Sequence, residues 1–250
     1  MMILIILFLA SLWAGAQNAL AGGGSFITLP ALIAVGMDAR AANITSTVAL
    51  FPAQIVTGLT GRRDAAGLPE LSFRSLFAIS LAGGALGAAI LLATPPSFFA
   101  RLVPWLVLFA TLVFAWGSFS RRSPVAGDQP KRLPPWFAAL AQFFIAIYGG
   151  YFGGGIGFLM MAALAAAGQN VRVAGATKNI LAGVMNAAAV AIFLFSPDIH
   201  WLQAAVTAVG ASAGGWGGAM MLQRVNERAL RLGVIGIGAV LTLGLFLRSP

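Results

Sequence analysis

Long apolar runs decide what this chain can fold into. They lie at about 2–21, 25–36, 43–60, 73–93 and 102–118, and resume after a polar connection at about 136–152, 155–168, 173–196, 201–222 and 229–247. A helix needs about 20 apolar residues to cross a bilayer core of ~30 Å, and most of these runs reach that length. Charged residues make up only 8% of the 250. A soluble domain carries roughly 25%, so this chain cannot clothe a water-facing surface. The predicted fold class is an all-α integral membrane protein. Its formal charge of +9 does not point to nucleic acid, because the basic residues sit in short connections, where they set orientation in a membrane. There is no cysteine and a single histidine, His200. That removes disulfides, thiolate nucleophiles and Cys-based metal sites, and leaves little for a His-based one. No metal and no cofactor are expected. The end of the first run, Ala19-Leu20-Ala21, looks like a signal-peptidase site, but Met1 to Ala10 carries no Lys or Arg, so the segment is expected to be retained.

Two glycine clusters interrupt the apolar pattern. The first stands in Ala21-Gly22-Gly23-Gly24-Ser25-Phe26-Ile27-Thr28-Leu29-Pro30, the second in Tyr151-Phe152-Gly153-Gly154-Gly155-Ile156-Gly157-Phe158. Consecutive glycines open a helix and let another backbone come close. In a membrane the freed N–H and C=O groups survive only where they face protein or a watery cavity. The run after the first cluster, residues 25–36, would rise only ~18 Å. Both runs that follow glycines therefore read as half-helices stopping near mid-membrane. Paired interruptions in matching places of two halves mark a transporter's binding site.

The halves match elsewhere too. Overlaying Gly22-Gly23-Gly24 on Gly153-Gly154-Gly155, with one residue of slippage, pairs Gly36 with Gly168, Arg40 with Arg172, Thr45 with Thr177 and Gln54 with Asn186. Further on, Gly84-x-x-Gly87 is paired with Gly214-x-x-Gly217, a spacing suited to close helix packing. The expected organisation is a first transmembrane repeat over 1–118, a cytoplasmic linker over 119–135 and a second repeat over 136–250. Each repeat begins with a Gly-broken hairpin. Placing the basic connections at Arg62-Arg63, Arg121–Arg132 and Arg224/Arg228 inside the cell makes the two repeats inverted, with both chain ends outside. Arg101 and Arg248 would then stand outside, against the rule. If the half-helices do not cross, there are eight spans and the repeats can be parallel.

Lys178 is the sharpest single residue. Every other charge lies in a connection or near a span end, and no carboxylate lies deep in a span to neutralise it. A buried charge in a membrane segment costs ~3 kcal/mol or more and commonly marks a solute pathway. A mobile anion suits it as a partner. The alternative is that its amine snorkels to the interface. Around it, Asn43, Thr45, Ser46 and Thr47 open one long run, and Thr177, Lys178 and Asn179 open its counterpart. These donors, with half-helix N-termini, suit an oxyanion, while capping and interhelical hydrogen bonding remain the plain alternative. Gln54 and Asn186 are mid-span amides, one per half. The candidate substrate-binding set is Gly22, Gly23, Gly24, Ser25, Asn43, Thr45, Thr47, Gln54, Gly153, Gly154, Gly155, Thr177, Lys178, Asn179 and Asn186. Catalytic constellations are missing: Gly22-Gly23-Gly24-Ser25 lacks the lysine of a nucleotide loop, and Asp38 and Asp198 stand in connections without an acid–base partner. An enzyme is not expected.

The glycine run with its Thr28-Leu29-Pro30 end, the start Arg40-Ala41-Ala42-Asn43-Ile44-Thr45-Ser46-Thr47, and their echoes at 153–157 and 172–179 resemble the TauE/SafE sulfite exporter family of permeases. The resemblance spans nearly the whole chain. It implies a multi-pass permease of a bacterial inner membrane that moves sulfite or an organosulfonate such as sulfoacetate. The second copy has Ile156-Gly157 where the first has Ser25-Phe26, and Met161 for Pro30, so the halves are not expected to touch substrate equally. The partners expected are a small anion and the lipid bilayer, with a second copy of the chain left open. The other reading is a membrane subunit that anchors a larger assembly without moving solute.

Overall fold

The computed structural model describes residues 2–20, 23–60, 62–119, 134–221 and 227–248. Gly22, most of the linker with Arg121–Arg132, and Arg224 lie outside the described residues. The described residues form helices and no β-strand: α1 (Met2–Leu20), α2 (Ser25–Ala34), α3 (Ala39–Thr60), α4 (Phe73–Ala93), α5 (Pro96–Phe119), α6 (Pro135–Tyr151), α7 (Ile156–Ala166), α8 (Val171–Phe193), α9 (Trp201–Met221) and α10 (Glu227–Arg248). Among the described residues, three helical stretches are both long and apolar enough to cross a membrane: Phe73–Ala93, Pro96–Trp116 and Arg172–Phe193. All six tryptophans, Trp13, Trp105, Trp116, Trp136, Trp201 and Trp216, are exposed, as rings that anchor in headgroups are.

Two short helices follow the glycine breaks. At 10 and 11 residues, α2 and α7 rise only about 15–17 Å. Each ends in the same closure. Gly36 (φ 95°) and Gly168 (φ 96°) take the left-handed conformation. Met37 then donates its N–H back to the Leu32 carbonyl, and Gln169 to that of Leu164, which satisfies carbonyls the helix leaves open. The next helices start alike: Asp38 accepts the N–H groups of Arg40 and Ala41 at 3.0 Å, and Asn170 accepts that of Val173 at 2.9 Å. Asp38 is thus a helix cap.

These shared turns correct the overlay of the halves. At the first break Phe26 donates to the Gly23 carbonyl, and at the second Phe158 donates to that of Gly155. Gly23 (φ 84°) and Gly155 (φ 74°) are therefore equivalent, and no slippage is needed between the breaks and Gly36/Gly168. Phe158 stands where Phe26 does, and Ala162, not Met161, where Pro30 does.

Helix partners repeat under exchange of each helix with the one five later. α1 packs along α9 and α6 along α4; α3 meets α8 and α5 meets α10; α2 and α7 each sit between their neighbours. The tightest contacts are backbone on backbone. A Cβ added at Gly214 would overlap the Leu12 carbonyl and one at Gly15 the Ala211 carbonyl. In the α4–α6 pair, one at Gly87 would overlap the Ile147 carbonyl and one at Gly150 that of Gly84. Gly210 meets Phe8, Ser11 and Leu12 as Gly83 meets Phe143, Ala146 and Ile147. The structural counterpart of Gly83/Gly87 is therefore Gly210/Gly214, one turn before the pairing suggested by the sequence. Gly217 has nothing within 4 Å of its Cβ position.

Candidate functional site

Both breaks are held open by side-chain amides. At the first, Gln17 donates to the Gly23 carbonyl at 3.4 Å, and Asn18 accepts the Gly24 N–H at 3.3 Å. At the second, Asn43 of α3 donates to the Tyr151 carbonyl at 3.0 Å, where α6 ends. These bonds occupy groups that a broken helix leaves over in an apolar setting.

The two breaks face one cavity. About 80 Å³ in volume, it is lined by Asn18, Gly23 and Ser25 from the first break and by Gly153, Gly155, Ile156 and Gly157 from the second. Gln54 and Thr57 of α3 and Lys178, Asn179 and Ala182 of α8 close the rest. That is room for several water-sized groups. The half-buried Lys178 lies in the third turn of α8. Its amine sits over the first turn of α7, 3.7 Å from where a Cβ on Gly157 would stand. Among the described residues it has neither an ion pair nor a hydrogen-bond partner. The N–H groups of Ile156 and Gly157, the first in α7, likewise have no acceptor among the described residues. No carboxylate lines the cavity. A cationic side chain, a helix N-terminus with its positive dipole end and no counter-charge make the cavity electropositive.

Gln54 and Asn186, equivalent in the two halves, touch each other: the Asn186 Nδ2 donates to Gln54 Oε1 at 2.6 Å where α3 crosses α8. Asn186 is 3% exposed, and it engages the Gln54 acceptor while Gln54 faces the cavity. Asn186→Ala removes the partner of the Gln54 Oε1 at the helix crossing. The expected loss is about 1–2 kcal/mol of stability, read as a lower melting temperature in detergent.

The other candidates lie outside the cavity lining. Gly154 borders an apolar cleft with Phe26, Val107 and Leu245. Gly24 is bonded to Asn18, and Thr47 bonds back to the Asn43 carbonyl at 2.9 Å. Thr45 accepts the His200 N–H at 3.2 Å, and Thr177 accepts that of Ala66 at 3.1 Å. Sequence reasoning passed over Asn18, Thr57, Ile156, Gly157 and Ala182. Asn18 was findable as a polar residue on the last turn before the glycines. Thr57 and Ala182 stand one turn beyond Gln54 and Lys178, on the same helix faces.

Comparison with known proteins follows the same lines. The family described as Sulfite exporter TauE/SafE matches residues 7–245. The chain belongs to that family. Relatives of the TauE/SafE chain include a "Probable membrane transporter protein" of Haemophilus influenzae, 28% identical over 96% of this chain and 93% of that protein. The "Probable membrane transporter protein YfcA" of Escherichia coli K12 is 25% identical over 99% and 91%. "Probable membrane transporter protein ORF9" of Sinorhizobium is 31% identical over 80% and 75%. No solved structure matches. Membership in TauE/SafE and the apolar helices make this a membrane protein of a transporter family.

Proposed function

We propose that the protein is a secondary permease of the bacterial inner membrane that carries a small anion, sulfite or an organosulfonate such as sulfoacetate, by alternating access at the cavity between its halves. The observation that carries this reading is the meeting of both glycine breaks with the Lys178 amine in one cavity, where among the described residues the amine has no partner and no carboxylate stands. Each sulfite or sulfonate oxygen is an acceptor only. The groups offered to it are an ammonium, helix N–H groups, the Gln54 amide and the Ser25 hydroxyl, and charge-assisted bonds of this kind are the strong ones. The family description and the relatives' printed names support transport.

The inverted arrangement has support from the crossing of α3 and α8. Gln54 meets Asn186, whereas Gly58, one turn further along α3, faces Asn179 and Ile180, earlier in α8. Equivalent helices thus run in opposite directions, as in repeats related by an axis in the membrane plane. With no nucleotide loop in the sequence, the driving force is a gradient or is supplied by a partner.

Purified protein reconstituted in liposomes should show saturable flux of labelled sulfite or sulfoacetate. The same anions should raise its melting temperature, by mass action on the folded state. Folded protein that moves none of sulfite, sulfoacetate, sulfate, thiosulfate or simple carboxylates would overturn the reading.

A further inference from the structure

The same three-part contact occurs twice, once at each end of the crossed α3–α8 pair. Arg40, at the start of α3, pairs through Nη2 with Asp198 Oδ2 at 2.8 Å, in the connection before α9. Its Nη1 also donates to the Thr94 carbonyl at 2.8 Å, and five residues on Thr45 accepts the N–H of His200, two residues past Asp198. Arg172, at the start of α8, pairs through Nε with Asp64 Oδ2 at 3.1 Å, in the connection before α4. Five residues on, Thr177 accepts the N–H of Ala66 at 3.1 Å and donates to its carbonyl, two residues past Asp64. Gln169 adds bonds to the Ala66 and Gly67 carbonyls. Arg–carboxylate, threonine hydroxyl and loop N–H recur at identical spacing, and each set ties one half of the chain to the other.

Their position is informative. Arg40 lies fourteen residues before Gln54, and Arg172 fourteen before Asn186, about 21 Å of helix each. Because the two helices meet at those amides and run oppositely, the contacts stand ~40 Å apart, close to the full thickness of a bilayer with its headgroups. They are also unequal. The Arg40 and Asp198 side chains are 17% and 22% exposed, those of Arg172 and Asp64 83% and 45%. The cavity sits toward the exposed pair, since Lys178 is only six residues from Arg172.

We propose that these are two clasps that close the cavity from opposite sides of the membrane and release alternately, with α3 and α8 pivoting on the Gln54–Asn186 bridge. The inference rests on the permease reading. Both clasps are made in the structure; the less exposed one at Arg40–Asp198 is the firmer, and the water-facing one at Arg172–Asp64 the first to part. Two discrete arrangements biased by a contact at either end are what alternating access requires.

The chain has no native cysteine, so Ala182→Cys in the cavity is a lone reporter, labelled by a membrane-impermeant maleimide in vesicles of either orientation. Asp64→Asn should raise labelling from the Asp64 side by about threefold, the scale of an exposed ion pair, and lower it from the other. Asp198→Asn should do the reverse, and the swap Arg40→Asp with Asp198→Arg should restore the starting pattern. If Asp198→Asn is not recovered folded, Asp64→Asn and the swap Asp64→Arg with Arg172→Asp decide on their own. Changes equal on both sides, or none beyond twofold, overturn the clasps. Labelling reads accessibility and not flux: one-sided switching without any anion flux would sink the anion assignment and leave the clasps standing.

Discussion

Lys178→Gln is expected to weaken anion binding and flux by about 10- to 100-fold, the worth of one charge-assisted hydrogen bond. Among the described residues the amine is the one cationic group that faces the cavity, and it has no partner there to make up for its loss. Folding should respond in the opposite sense. An unpaired charge deep in a membrane protein is a burden on the folded state, so the glutamine variant should melt no lower than the parent. Lys178→Arg should fall between them, because it keeps the charge but needs more room beside Gly157. Affinity from a ligand-induced melting shift and flux in liposomes check this together. Unchanged affinity in a folded Lys178→Gln would remove the residue from the site.

Gly214→Ala is expected to be the most damaging added methyl group among the described glycines. Its Cβ would meet the main chain of Leu12, and a backbone cannot step aside by changing rotamer. Overpacking of ordinary cores costs ~1–3 kcal/mol, and this contact should exceed that, either as a large fall in melting temperature or as loss of folded protein. Gly87→Ala and Gly150→Ala should behave likewise against the carbonyls of Ile147 and Gly84. Gly217→Ala, with nothing near its Cβ position, should stay within ~0.5 kcal/mol of the parent. Equal tolerance at 214 and 217 would mean that α1 and α9 do not approach as closely as described.

The contrast between those glycines shows where sequence reading stopped. Helix type was legible because apolar runs near bilayer length leave the backbone little choice. The half-helices were legible because glycine clusters are poor helix. Register was not. Glycines are plentiful in this chain, and a match of Gly84-x-x-Gly87 to Gly214-x-x-Gly217 looks as good as the structural one until the facing helix is known. The triplets misled for the same reason: what repeats is a left-handed turn at Gly23 and Gly155, and neighbouring glycines can supply such a turn equally well. Within the candidate site, Lys178, Gln54 and Ser25 stood out as polar side chains in apolar surroundings, whereas Ala182 carries no chemical signal at all. The hydroxyls of Thr45 and Thr177 had the right repeat spacing, yet they bind loop N–H groups. Sequence distance to those loops, 155 and 111 residues, hid that role.

The most extensive pairing of α1, with α9 of the other half, has a consequence for how the protein is made. The last residue of α1 leaves the ribosome about 180 residues before the first of α9. At roughly 5–20 residues per second, α1 waits some 10–35 s in the bilayer with the small-residue stripe around Ser11 and Gly15 uncovered. α4 waits for α6 through only about 40 residues. The first helix is therefore the one that depends on the insertion machinery to shield it. Slowed elongation anywhere between α1 and α9 should lower yield more than the same delay after α9.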